Sequence, residues 1–394
     1  LSVDPANHSA HRFLSDTYAN TPRHEIARVS ELLQAQLLQP INVNPVQPHM
    51  AVADLNIVTG TGPSTTGFNE FSPLMERSKP QLVTSGIVGS NSTLGNEMVL
   101  SKFSDRSSIS LGQFHYESNG FRSNNDQKHN IYNAFLQYSL TPRFNMQAEV
   151  RTRETEHGDL LLNFDPDKFS TKYRREINED IVRIGAKYSA SHNQDFLFSG
   201  KYTNRLENVG QTTLKNEGYQ IEAQYLFREK SLNSIIGGGI YQFSWLNKPE
   251  KIFHFKTMER ENVYGYTNIN FLSKLNITLG LGYDSFTSTI DGNNNHKLNP
   301  KFGLQWNIID SFRIRVAWFE TTKSHLITQQ SLEPTQVAGF NQFFDDINGT
   351  RARRMGIGFD FHHLNKIYSG IEVSHRKILA PTIIQGEEQE FNRE

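Results

Sequence analysis

The stretch 130–153, NIYNAFLQYSLTPRFNMQAEVRTR, alternates apolar and polar positions with a period of two. Tyr132, Ala134, Leu136, Tyr138 and Leu140 share one parity, and Asn133, Gln137 and Ser139 the other. After Thr141-Pro142-Arg143 the alternation resumes, with Phe144, Met146, Ala148 and Val150 opposed to Asn145, Gln147, Glu149, Arg151 and Arg153. Two such runs across so short a link predict a β-hairpin. The polar parity carries carboxylates, amides and guanidiniums rather than small core-filling residues. One face is therefore expected against something apolar and the other against water.

The same texture continues from residue 81 almost to the end. It predicts fifteen strands, at 81–90, 96–104, 107–118, 129–140, 144–154, 179–190, 195–206, 217–228, 233–246, 262–273, 275–288, 299–308, 312–323, 352–363 and 366–378. Val182, Ile184, Ala186 and Tyr188 oppose Arg183, Lys187 and Ser189, and Leu275, Ile277, Leu279 and Leu281 oppose Asn276, Thr278, Gly280 and Gly282. Short links (105–106, 141–143, 192–194, 229–230, 274, 310–311, 364–365) alternate with long polar ones (119–128, 155–178, 207–216, 247–261, 289–298, 324–351). Aromatic residues such as Tyr138, Phe144, Tyr188, Phe196, Trp306 and Phe312 gather at the ends of the runs. Short turns at one end, long loops at the other and aromatic girdles between them are the pattern of a bacterial outer-membrane β-barrel. The fold class expected is mainly β, a large antiparallel transmembrane barrel of fifteen visible strands and sixteen or more in full. Phe114, Tyr116, Tyr264 and Tyr266 break the parity of two strands, where bulges or loop-end segments are expected.

The first forty residues follow another period. Ala10, Phe13, Leu14, Tyr18 and Ala19 are helix-spaced, and after Thr21-Pro22 so are Ile26, Val29, Leu32, Leu33, Ala35 and Leu37. An antiparallel helix pair is expected over 1–40. Its pattern DPxNxxAxxFLxxxYA resembles the closing half of a tetratricopeptide repeat, which implies further repeats before Leu1, while an isolated hairpin packed on the next domain is the alternative. Residues 41–80, which follow Pro40 and hold prolines at 45, 48, 63, 73 and 80, are expected to be a linker or a short plug-like segment, ahead of a barrel domain at 81–394. Gly60-Thr61-Gly62 lacks the lysine and the following helix of a phosphate loop.

Composition narrows the picture. The 394 residues include 27 Phe and 14 Tyr, no Cys and a net charge of −1, at a mean hydropathy of −0.55. No apolar run is long enough for a membrane helix, thiol chemistry is absent, and no global field would attract nucleic acid. No signal-peptide pattern is visible in the first residues given, and the chain is expected to be an internal piece of a longer protein. Catalysis is not expected, nor is a cofactor. His362 and His363 point to opposite sides of one strand, His8 and His11 lie on the first helix, and Asp345-Asp346, Glu387-Glu388 and Asp165/Asp167 fall in loops.

The polar parity, taken as lumen-facing, is basic on balance. Arg151, Arg153, Arg183, Lys187, Lys201, Arg313 and Arg315 form the candidate wall, which either concentrates anionic solutes or is matched by neighbouring carboxylates. In the loop TTKSHLITQQSLEPTQVAGFNQFFDDINGT, Phe340, Phe343 and Phe344 are candidates either for contact with a flat ligand or for anchoring the loop in the barrel mouth.

The segments ISLGQFHYESNGFRSNNDQ, HNIYNAFLQYSLTP, LNPKFGLQWNI and SLEPTQVAGFNQFFDD resemble bacterial outer-membrane proteins that fuse periplasmic tetratricopeptide repeats to a barrel similar to that of TonB-dependent receptors. The resemblance implies outer-membrane transport, with the N-terminal part periplasmic and lipid and a periplasmic protein as partners. The leading expectation is a conduit that exports a polysaccharide or passes an anionic solute. The alternatives are a receptor-type importer driven by a TonB-type coupling protein and a membrane anchor for the repeats. An odd strand count leaves Glu394 opposite the N-terminal side, so the chain is expected to continue, with 389–394 leading into a sixteenth strand.

Overall fold

The computed structural model describes residues 27–41, 79–160, 167–248, 256–271, 274–288, 294–324, 330–344, 349–363, 367–381 and 388–393, with positions 4, 6, 7, 10, 326 and 346. One helix is described along its length, α1 (Ala27–Leu38). The strands are β1 (Gln81–Gly89), β2 (Thr93–Phe103), β3 (Ser107–Ser118), β4 (Gln127–Thr141), β5 (Phe144–His157), β6 (Arg175–Ser191), β7 (Gln194–Val209), β8 (Thr212–Arg228), β9 (Leu232–Lys248), β10 (Lys256–Phe271), β11 (Leu275–Ser288), β12 (Asn294–Ile309), β13 (Phe312–Thr322), β14 (Gln336–Val337), β15 (Phe340–Asn341), β16 (Arg351–His363), β17 (Ile367–Pro381) and β18 (Glu388–Arg393). All but β14 and β15 join one 16-stranded sheet in chain order, with β1 and β18 at its edges. The residues read as leading into a sixteenth strand are that strand, β18, antiparallel to β17.

Alternation decides the faces. Along β4, Tyr132, Leu136 and Tyr138 are exposed on the outer wall while His129, Ile131, Asn133, Phe135 and Gln137 are buried inside. Leu136, Val150, Ile184 and Leu279 are 46%, 52%, 53% and 47% exposed, a water-averse surface that only lipid can cover. Cysteines placed singly at 150 and 151 are expected to differ in membranes, 151 reacting with a water-soluble maleimide and 150 protected. Equal labelling would remove the basis for the two faces.

β3 and β10 keep their register along their full length, contrary to the bulges expected there. Phe114, Tyr116, Tyr264 and Tyr266 hold the inward parity and are buried, because the interior at those points is apolar rather than wet. Register shifts occur instead at Ser139/Thr141, Ser189/Ser191 and Asn307/Ile309, beside short turns. There the backbone N–H of Ser139, Ser189 and Asn307 donates to the carbonyls of Arg106, Arg143 and Lys274 in the preceding turns (2.7, 2.8 and 2.8 Å), stitching that rim together. The long link expected at 207–216 is a tight turn, with Gly210 at φ 60° between extended β7 and β8.

The expected tetratricopeptide helix pair is not supported. The first expected helix lies almost wholly outside the described residues, as does nearly all of the 41–80 segment. Every residue from Leu33 to Gln39 is buried, so this half of α1 has no free face to stack on a repeat. Leu33, Leu37 and Leu38 join a core with Leu197, Leu226 and Ile235 of the inner wall. Asp4 lies 3.7 Å from the inward Arg228, and Ala6 packs against the same core.

Candidate functional site: a lumen filled by the chain's own segments

Among the described residues, two segments occupy the interior. The first is the end of α1. Gln39 donates to the Gln137 side-chain oxygen at 3.1 Å, and Gln137 donates back to the Gln39 carbonyl at 3.0 Å. Gln147 donates to the Gln36 carbonyl. Gly185 on β6 makes room for the helix, since a Cβ there would lie 2.5 Å from Leu37 Cδ2. Gly185→Val is therefore expected to cost about 1–3 kcal/mol by overpacking, read from urea unfolding in detergent. An unchanged midpoint would mean that α1 does not press on this wall.

The second segment belongs to the long loop between β13 and β16. Its core is a hairpin of β14 and β15, in which Gln336 pairs with Asn341 and Val337 with Phe340. Ala338 and Gly339 take φ of 49° and 85°, the left-handed pair that a two-residue hairpin turn requires. The wall facing it is built from glycines. A Cβ on Gly303 would meet Ala338 Cβ at 2.8 Å, and one on Gly356 would meet the Phe340 ring at 2.4 Å.

Phe340 has no exposed surface and lies between guanidiniums, 5.1 Å from Arg315 and 5.7 Å from Arg354. Phe344 lies 5.2 Å from Arg354 and 4.0 Å from Arg376. Phe343 is buried as well. Arg354 fastens the hairpin by donating to the Asn341 carbonyl and to Glu372, both at 3.0 Å. These contacts place Phe340 and Phe344 against guanidiniums of the inner wall.

Just before the hairpin, Glu333 forms a buried clasp. It accepts a hydrogen bond from the Tyr266 hydroxyl at 2.8 Å and another from Asn262 at 3.4 Å. Arg260 and Lys301 stand 3.8 and 4.0 Å from its carboxylate. Glu222 on β8 accepts from the Ser331 hydroxyl at 2.7 Å, the Leu332 N–H at 2.9 Å and the Tyr241 hydroxyl at 3.0 Å. Gln34 of α1 donates to the Leu332 carbonyl at 3.1 Å and to Gln224 at 2.5 Å. The two internal segments thus meet at Leu332, itself fully buried.

The candidate basic residues divide between paired and rim positions. Arg183 is 3.0 Å from Glu149, Arg153 is 2.9 Å from Glu179, and Arg315 is 2.7 Å from Asp360. Lys201 is buried 3.5 Å from the Gln330 carbonyl, just ahead of the clasp. Arg151 and Lys187 are half-buried on the inward parity, and Arg313 is exposed near a short turn, donating to Asn307 at 2.9 Å. The arginines at 153, 183 and 315 are therefore matched by carboxylates rather than presented to solute. Glu222, Glu333, Tyr266 and the glutamines that hold the internal segments were not among the candidates. Their one signal was apolar or amide residues recurring on the inward parity.

Residues 86–363 match the model of the TonB dependent receptor-like β-barrel family, more than half of the chain. The chain belongs to this family. Solved barrels agree with the assignment of fold. The ferric yersiniabactin uptake receptor FyuA of Yersinia pestis superposes with a TM-score of 0.58 at 10% identity, over 79% of this chain and 57% of that one. The siderophore receptor PirA of Pseudomonas aeruginosa gives 0.59 at 12%, over 81% and 62%. FpvA of P. aeruginosa, solved with pyoverdines, gives 0.60 at 11%, over 83% and 55%. This TonB-dependent receptor-like barrel thus spans less than two thirds of each of those receptors. No curated protein matches its sequence. The family match begins at residue 86, so the tetratricopeptide expectation at 1–40 lies outside it.

Proposed function

We propose that this chain is the barrel of a gated outer-membrane importer of the TonB-dependent receptor type, with a TonB-type coupling protein as its partner and no catalytic activity of its own. One observation carries the reading: α1 and the loop that carries the β14–β15 hairpin fill the lumen and are bonded to each other through Gln34 and Leu332. A wide barrel whose interior is plugged passes solute only when the plug moves, and moving buried, hydrogen-bonded segments requires work. An open conduit or porin would need that space free. The family membership and the likeness to siderophore receptors support the importer over the export conduit, and nothing in the placement of α1 favours repeats that feed a channel.

The test has two parts. In planar bilayers the intact chain should show no sustained conductance, and removal of residues 331–342 should produce open-channel steps. In cells, accumulation of a ferric siderophore from a panel should require the coupling protein and an energised inner membrane. Steady open conductance by the intact chain, or uptake indifferent to the coupling protein, would sink the proposal.

A further inference from the structure

The outer wall carries a groove of about 630 Å³ between β5 and β10. Register explains it. One lateral row runs Phe144, Tyr188, Phe196, Tyr225, Ile236 across neighbouring strands, and the rings from Phe144 to Tyr225 follow one another at 6.5, 6.3 and 4.8 Å. The next row away from the short turns contains Ala186, Ala223 and Gly238, interrupted by Phe198 and bounded by Val263. Small side chains beside a row of rings leave a trough in a wall that otherwise presents large apolar groups.

The turns at the foot of this trough carry Arg143 (β4–β5) and Lys230 (β8–β9), both exposed. Neither makes an ion pair among the described residues. Glu229, the anion beside Lys230, accepts a hydrogen bond from Asn193 at 2.9 Å. Arg106 and Lys274 stand on neighbouring turns of the same rim and are exposed too. Among the described residues the rim therefore offers Arg143 and Lys230 without ion pairs, directly beneath an apolar trough and an aromatic row where an interfacial girdle belongs.

We infer that this trough is a binding site for an anionic phospholipid of the leaflet on the short-turn side, with an acyl chain along Ala186, Ala223 and Gly238 and the phosphate against Arg143 or Lys230. A second copy of this chain is a poorer occupant, since a two-fold contact through the same patch would bring like charges together. An irregular protein segment would carry unpaired backbone groups into hydrocarbon. The inference rests on the reading of this wall as membrane-spanning.

The experiment uses the intact chain in vesicles of phosphatidylcholine containing a minor share of phosphatidylglycerol, followed by flotation, detergent extraction and mass spectrometry of the lipid still bound. Phosphatidylglycerol should be retained in preference to phosphatidylcholine. Arg143→Gln and Lys230→Gln should each lower that preference roughly fivefold, the effect of one basic residue at a membrane surface. Ala223→Phe, which fills the trough from an exposed position, should reduce retention of both lipids while heat-modifiable gel mobility stays unchanged. Floating without any lipid preference, or a preference indifferent to all three substitutions, overturns the site. Failure to float overturns the membrane-spanning wall itself, and the site with it.

Discussion

Glu333→Ala is expected to detach the internal hairpin from the wall at a cost of about 3–5 kcal/mol, the range for removing one member of a buried charge cluster. The substitution leaves Arg260 with Asp284 as its remaining anion, at 2.7 Å, and Lys301 with the Glu320 carbonyl at 3.1 Å. It also strips a hydrogen-bond acceptor from the buried Tyr266 hydroxyl, which keeps Gln342 as a partner. Desolvation that the carboxylate had offset is then uncompensated. Amide hydrogen exchange at Leu332 and Gln342 should accelerate, and the variant should show conductance bursts that the intact chain lacks. Glu333→Gln retains an acceptor for Tyr266 and removes only the charge, so it should fall between the two. Exchange rates in Glu333→Ala equal to those of the unchanged chain would mean that the clasp does not hold the hairpin.

The barrel wall was legible because lipid imposes a strict rule on alternate residues. Wherever a strand crosses hydrocarbon, one parity must be apolar, and all fifteen expected strands are present for that reason. Where strands extend beyond the membrane the rule lapses. β7 and β8 continue through Glu207, Asn208 and Thr213, polar on both faces, and read as a loop although they pair residue by residue.

The filled lumen was half legible. Ile131, Phe135, Leu197, Leu226, Tyr264 and Tyr266 stand on the parity that should be wet, and all are buried. Such departures announce an apolar partner inside the barrel without naming it. The partner is remote in sequence: Gln34 reaches Gln224 and Leu332, and no local period encodes contacts at such separation. The α1 spacing likewise predicted a helix correctly while leaving its docking open. The buried side chains of Gln34 and Gln39 and the Gln36 carbonyl meet partners on the barrel wall and the loop, contacts that no local period encodes.

The second large effect is expected on the outer wall. Ile184 lies four residues along β6 from Tyr188, about 13 Å of strand, and Tyr188 belongs to the aromatic row beside the short turns. With the tilt of a barrel strand, that places Ile184 near the middle of an apolar band about 25 Å tall. Ile184→Arg should therefore cost about 2–4 kcal/mol in a lipid environment. Its neighbours on the same parity, Val182 and Ala186, offer no anion to meet the guanidinium, and the backbone there is fully engaged with β5 and β7. Lys187→Gln, three residues away on the opposite parity, changes charge by the same amount on a half-buried lumen position. It should shift stability by no more than about 0.5 kcal/mol. Denaturant unfolding from vesicles compares the two directly. If Ile184→Arg proves as mild as Lys187→Gln, this face of β6 is not in lipid.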